Sequence, residues 1–174
     1  MKEALKKNKG RALELPLTNY EKGIEVLSGI GILLIIILVI AVWNSTPEKI
    51  PTHYALSGIP DTWGKKESIL FIPMVALVLY AIMSIVTKYP HTFSFLWKDT
   101  GKTTKAQYQS ARHLLVVLKA EIILSFAYIQ WITIQVAFGK AEGLGGLFFP
   151  LLVIIVLGTV GIYFFKSINN VADE

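Results

Sequence analysis

Four long apolar runs leave this chain little architectural freedom: Val26 to Trp43, Ile69 to Thr87, Leu114 to Phe138 and Leu147 to Phe165. Each is long enough to cross a hydrocarbon layer of ~30 Å, which takes about 20 helical residues. A helix satisfies its backbone polar groups within one segment, as lipid requires, whereas a barrel needs alternating strands of about ten residues that these runs do not show. The apolar share of 53% exceeds the ~45–50% of soluble domains, in keeping with this reading. The expected fold class is therefore all-α integral membrane, with four transmembrane helices. The first run follows a charged stretch and lacks a small-x-small cleavage site, so it reads as a retained helix and not a signal peptide. The chain has no cysteine, which removes disulfides and thiolate metal sites together.

The net charge of +5 is unevenly placed. Lys2, Lys6, Lys7, Lys9, Arg11 and Lys22 precede or begin the first run, Lys88, Lys98, Lys102, Lys105 and Arg112 surround the second loop, and Lys166 ends the fourth run. The opposite side has only Lys49, Lys65, Lys66 and Lys140, so twelve basic residues face four. That bias places both termini and the 88–112 loop in the cytoplasm. The basic segments are expected to rest on anionic headgroups of the cytoplasmic leaflet, and nucleic acid is not expected as a partner.

The expected organisation is a basic tail over 1–25, a helix–loop–helix unit over 26–87, a basic amphiphilic loop over 88–112, a second helical pair over 113–166 and a tail over 167–174. Ser28, Gly29 and Gly31 permit close helix contact in the first helix. Pro73 requires a helix start near Leu70 or a kink, and Pro150 is placed similarly in the fourth helix. Phe93, Phe95, Leu96 and Trp97 beside Lys98 and Lys102 suit a headgroup-level segment.

The first loop, "PEKIPTHYALSGIPDTWGKK", holds the densest group of chemically capable side chains. Pro47, Pro51 and Pro60 bias the residues before them to extended backbone, so Thr46 to Thr52 should run extended. Ile59-Pro60-Asp61-Thr62 fits a type I turn, with Gly58 and Gly64 free to adopt positive φ. His53 and Asp61 are eight residues apart, and a tight turn can join them as an oriented imidazole–carboxylate pair or as part of a metal site. The plainer alternative has Asp61 capping its own turn and His53 in an ordinary loop hydrogen bond. Trp63 reads as an interfacial anchor, with Lys65 and Lys66 at headgroup level. One outward histidine with irregular acids is short of the three ligands a catalytic metal usually takes, so no metal or other cofactor is expected. No HExxH, GxSxG, Walker-type or paired-glycine nucleotide motif occurs in the chain.

The string Ile50, Pro51, His53, Gly58, Pro60, Asp61, Trp63, Gly64 and Lys65, set between two membrane helices, resembles DUF1648, a bacterial membrane domain of unknown function. That domain forms the N-terminal part of immunity proteins that protect Gram-positive cells from the SDP killing peptide. The resemblance covers about residues 25–85 and implies a multi-pass protein of the bacterial plasma membrane, in a family of which some members act in toxin immunity and signalling and most have no assigned activity. The immunity proteins have a second hydrophobic domain that this sequence lacks.

The third run contains ionisable groups at membrane depth. Lys119 lies about 10 Å inside Arg112, and Glu121 some 3 Å deeper. Such groups cost a few kcal/mol on insertion scales and face protein or water. At 100° per residue, Glu121, Ser125, Tyr128 and Gln135 form one polar stripe, with Lys119 and Gln130 nearly opposite. Lys119 is expected to snorkel to the cytoplasmic headgroups. The Glu121 stripe reads either as a hydrogen-bonded interhelical seam, with Glu121 bonded to Tyr128 or to a neighbouring helix, or as the wall of a polar path.

Three functions are compatible with these features. The first is a non-enzymatic protein whose outer loop, through His53, Gly58, Pro60, Asp61 and Trp63, binds or senses a membrane-active peptide or a partner membrane protein. The second is a small transporter or channel component using Glu121 and its stripe, as a homo-oligomer because four helices barely enclose a path. The third is a membrane hydrolase with a metal at His53 and Asp61.

Overall fold

The computed structural model describes residues 16–88 and 105–172, with the side chains of 105–108 and 167–172 excepted. Its helices are α1 (Asn19–Val42), α2 (Phe71–Lys88), α3 (Lys105–Ala137) and α4 (Phe148–Ala172). All four are long and apolar enough to cross a membrane. Between α1 and α2 lie two strands, β1 (Lys49–Tyr54) and β2 (Pro60–Lys65), and a 3₁₀ turn over Lys66–Leu70. The amphiphilic segment expected around Phe93 to Lys102 lies outside the described residues.

Two helices begin earlier than their apolar runs. Residue Thr18 caps α1 through a capping box: its hydroxyl accepts from the Glu21 amide, and the Glu21 carboxylate accepts from the Thr18 amide at 2.8 Å. This pairing satisfies two end donors and starts the helix at Asn19, ahead of Val26. The α3 backbone likewise starts at Lys105, and its 33 residues give about 50 Å of helix, well beyond a ~30 Å hydrocarbon layer. At the other terminus α4 is helical to Ala172, through most of the stretch expected as a tail. Pro73 sits in the first turn of α2, where its missing N–H costs no helical bond, so the helix begins straight after the 3₁₀ turn.

The bundle is organised on α3. Contacts of α1 and α3 are the most extensive, followed by those of α2 and α4 with α3. The first and third helices run parallel, from Glu21 beside Arg112 at one end to Val39 beside Ile134 at the other. Ser28 and Gly31 are buried on α1, and a Cβ on Gly31 would meet Ile123 Cγ2 at 2.8 Å, so the absent side chain is what lets α3 approach. Ile32, Ile35, Ala76, Ile123 and Ala127 fill the three-helix centre. The fourth helix is peripheral, with 6% of its apolar window buried.

The first loop is a two-stranded antiparallel hairpin, an addition to the all-helical expectation. Thr46 to Thr52 does include the extended segment expected of it, but the chain reverses elsewhere than proposed. Gly58, at φ 79°, closes a turn with its N–H donating to Ala55 O, and Ala55 N–H donates to Ile59 O. The positive φ is available to glycine at no steric cost and draws the turn to Ala55–Gly58. Pro60 then opens β2, so Ile59 to Thr62 is not a type I turn. Lys49 pairs with Lys65 and Pro51 with Trp63, with register shifts on either side of His53.

Candidate functional site

The hairpin has an inner and an outer side. Ile50 on β1 is 1% exposed and packs with Val39, Ile69 and Ile134, while Tyr54 packs with Ile132, Val136 and Leu144. The Tyr54 hydroxyl hydrogen-bonds Thr133 of α3 at 3.0 Å. Burial raises the Tyr54 pKa above its ordinary value, against the opposing effect of that bond. At the turn, Leu144 N–H donates to Gly58 O at 2.8 Å, joining the hairpin to the α3–α4 connection. A Cβ on Gly143 would collide with that oxygen, so the two backbones touch without intervening side chains. Tyr128 of α3 donates to the Leu144 carbonyl at 3.0 Å and fixes the same connection from below.

Of the candidate residues, Gly58 is buried against the α3–α4 connection, and the outer side carries His53, Asp61 and Trp63. Of these, His53 and Asp61 meet: Nδ1 lies 2.7 Å from Asp61 Oδ1. The one-residue shift around His53 brings it opposite Thr62, beside Asp61 and not across from it. A carboxylate only accepts, so Nδ1 donates, and in the neutral ring Nε2 is then the acceptor. The hydrogen bond from His53, helped by one from the Thr62 hydroxyl, holds Asp61 below the usual carboxylate range. The side chains are 67% and 44% exposed, so the pair is open to its surroundings. Trp63 is half exposed nearby on β2, and Leu56 and Ile59 protrude at the turn. No group of three His, Cys, Asp or Glu side chains able to hold a metal occurs among the described residues.

The intramembrane polar residues are arranged differently from the sequence expectation. Lys119 does not snorkel. It is fully buried, with Nζ 2.7 and 2.6 Å from the two Glu25 carboxylate oxygens, 3.0 Å from Ser84 Oγ and 4.9 Å from the centre of the Tyr80 ring. A carboxylate one helix away offers what lipid headgroups would, without the lysine having to reach them. One turn nearer the chain start on α1, Glu21 accepts from Arg112 Nε at 3.1 Å and Nη2 at 3.0 Å, and Arg112 also donates to Pro16 O. Glu21, Glu25 and Arg112 fall in the segments expected as tail and loop, and Ser84 lies within an apolar run. Their signal was spacing: acids four apart on one helix, bases seven apart on another, each set on a single face.

The Glu121 stripe is a seam against α4. Thr159 of α4 donates to Glu121 Oε1, Ser125 donates back to the Glu121 carbonyl, and Glu121 does not bond Tyr128. Thr159 gave no sign in the sequence, being one hydroxyl in an apolar run. Glu121 Oε2 is buried with no hydrogen-bond partner, and so are both amide atoms of the fully buried Gln130. Gln135 is half-buried two residues before the end of α3.

Residues 30–77 match the family model of a domain of unknown function, DUF1648. The match takes in most of α1, the whole hairpin and the start of α2, the region whose residues carried the resemblance. An uncharacterised protein of Archaeoglobus fulgidus is 27% identical over 171 residues, covering 91% of this chain and 93% of that protein. No solved structure matches the chain.

Proposed function

We propose that this is a non-enzymatic, multi-pass plasma-membrane protein whose hairpin is an outward-facing binding platform for a membrane-active peptide. The observation that carries the reading is the His53–Asp61 pair: an oriented imidazole on the exposed face of a hairpin whose other face is locked to the bundle. Such a platform pays little ordering entropy on binding. Leu56, Ile59 and Trp63 add apolar and aromatic surface suited to an amphipathic peptide. The excess of basic residues at the opposite end, twelve to four, supports an orientation with both termini in the cytoplasm. Similarity to DUF1648, a domain also found in toxin-immunity proteins, supports a protective or sensing role.

The test is a strain lacking the gene, challenged with a panel of membrane-active peptides and complemented with wild type, His53→Ala, Asp61→Ala or Trp63→Ala. Heightened sensitivity to a subset of peptides, restored by wild type and not by His53→Ala, is the expected result. Sensitivity unchanged across the panel removes the reading. Labelling of Ser57→Cys from the cytoplasmic side would reverse the orientation.

A further inference from the structure

Peripheral α4 and the start of α1 both lean on α3, and between them is a cavity of about 520 Å³, within the range of small-molecule sites. Its walls change character with depth. Tyr20, Gln109, His113 and Lys166 lie toward the helix ends where Arg112 and Glu21 pair, and the Tyr20 and His113 rings stack at 4.9 Å. Val117 lies one turn inside His113, and Ile162 one turn inside Lys166, so the wall becomes apolar within about 6 Å. Two charged side chains line it among the described residues, Glu21 and Lys166, and the Glu21 carboxylate is already neutralised by Arg112 in a two-point ion pair. The charge left to act at the mouth is positive.

We propose that this cavity is a binding site for one anionic phospholipid, its phosphate at Lys166 and His113 and the first methylenes of its acyl chains against Val117 and Ile162. The inference rests on the helices crossing a membrane and is independent of what the hairpin binds. Two features select a lipid over free phosphate or a soluble anion. The polar-to-apolar order of the wall runs in the same direction as that of a lipid, from headgroup to chain. The cavity also borders α4, whose outward face of Ile154, Leu157 and Phe165 is exposed to the bilayer, so a chain continuing past Ile162 stays in hydrocarbon.

Native mass spectrometry of the full chain, delipidated in detergent and titrated with phosphatidylglycerol, phosphatidylcholine of the same chains or inorganic phosphate, tests the site. One phosphatidylglycerol is expected to be retained in preference to phosphatidylcholine. Lys166→Gln should lower that preference about fivefold, the effect of roughly one basic side chain at an anionic surface. Val117→Trp, which fills the apolar depth, should abolish retention while leaving the unfolding temperature unchanged, and Ile162→Trp repeats the blockade from the opposite wall should Val117→Trp fail to fold. Equal retention of the two lipids, undiminished retention in a folded tryptophan variant, or retention of phosphate in place of lipid would each overturn the assignment.

Discussion

Lys119 on α3 places its ammonium against both carboxylate oxygens of Glu25 on α1, at 2.7 and 2.6 Å. Ser84 and Tyr80 complete the surroundings from α2, so one cation ties three helices together. Its partner is 23% exposed and the lysine 1%, which makes the lysine the costlier charge to strand. Glu25→Gln should destabilise the bundle by about 3–5 kcal/mol, since it leaves the buried ammonium uncompensated, and Lys119→Met by less, since it strands a partly exposed carboxylate. The double variant Glu25→Leu/Lys119→Met should recover most of that loss. Denaturant titration in mixed micelles reads the cycle, and two single variants each within about 1 kcal/mol of wild type would show that the pair is not a stability element.

The Gly58–Gly143 contact should tolerate no side chain. Gly58→Ala meets both a left-handed φ, costing roughly 1–2 kcal/mol, and Gly145 O at 2.5 Å; Gly143→Ala meets Gly58 O itself. Each should release the hairpin turn from the α3–α4 connection while the helices persist. Hydrogen exchange at the Leu144 amide is the direct readout, with faster exchange expected in both variants and in neither case a loss of protection along α1.

The pH response of the hairpin follows from Asp61. Its pKa is lowered from 3.8 in the folded hairpin, so the ionised carboxylate stabilises the folded form above that ordinary value. The contribution is lost as pH falls through the lower folded value. Local order in β2, followed by NMR of the Thr62 amide, should therefore decline below about pH 4. Asp61→Asn should show the acid-side behaviour at every pH, and a wild-type titration curve in that variant would dissociate the response from Asp61.

Gln130 offers a test of opposite sign. Its amide is fully buried with neither atom bonded, a cost of about 1–3 kcal/mol for an unsatisfied group. Gln130→Met keeps the length, removes both polar atoms and should raise stability by an amount in that range. A loss of stability would mean that the amide is satisfied in the membrane by an ordered water.

How far the sequence reached depends on whether a feature is local. Four helices follow from four apolar runs because lipid permits little else, and Pro73 marks the start of α2 by its own chemistry. The encounter of His53 with Asp61 was legible as a possibility because eight residues of proline- and glycine-rich chain are enough to turn. The turn itself was misassigned: Ile59-Pro60 satisfies the rules for a type I turn, yet Gly58 takes up the reversal one step earlier. The partners of Arg112 and Lys119 are marked in the sequence only by matched spacing, because they belong to a helix more than ninety residues away whose register with α3 is set by Gly31 against Ile123. An isolated lysine in an apolar run reads as a snorkelling group until its carboxylate is in view.

That distance in the chain has a counterpart in time. Glu21 and Glu25 precede their partners by 91 and 94 residues. At ordinary rates of synthesis, on the order of ten seconds separates the emergence of the acids from that of Arg112 and Lys119. Throughout that interval α1 has to be received with two carboxyl groups near its membrane end and without the two bases that pair with them in the folded bundle. The nascent first helix thus depends on headgroups, water or the insertion machinery to accommodate its acids, and it reaches its final seat only when α3 arrives.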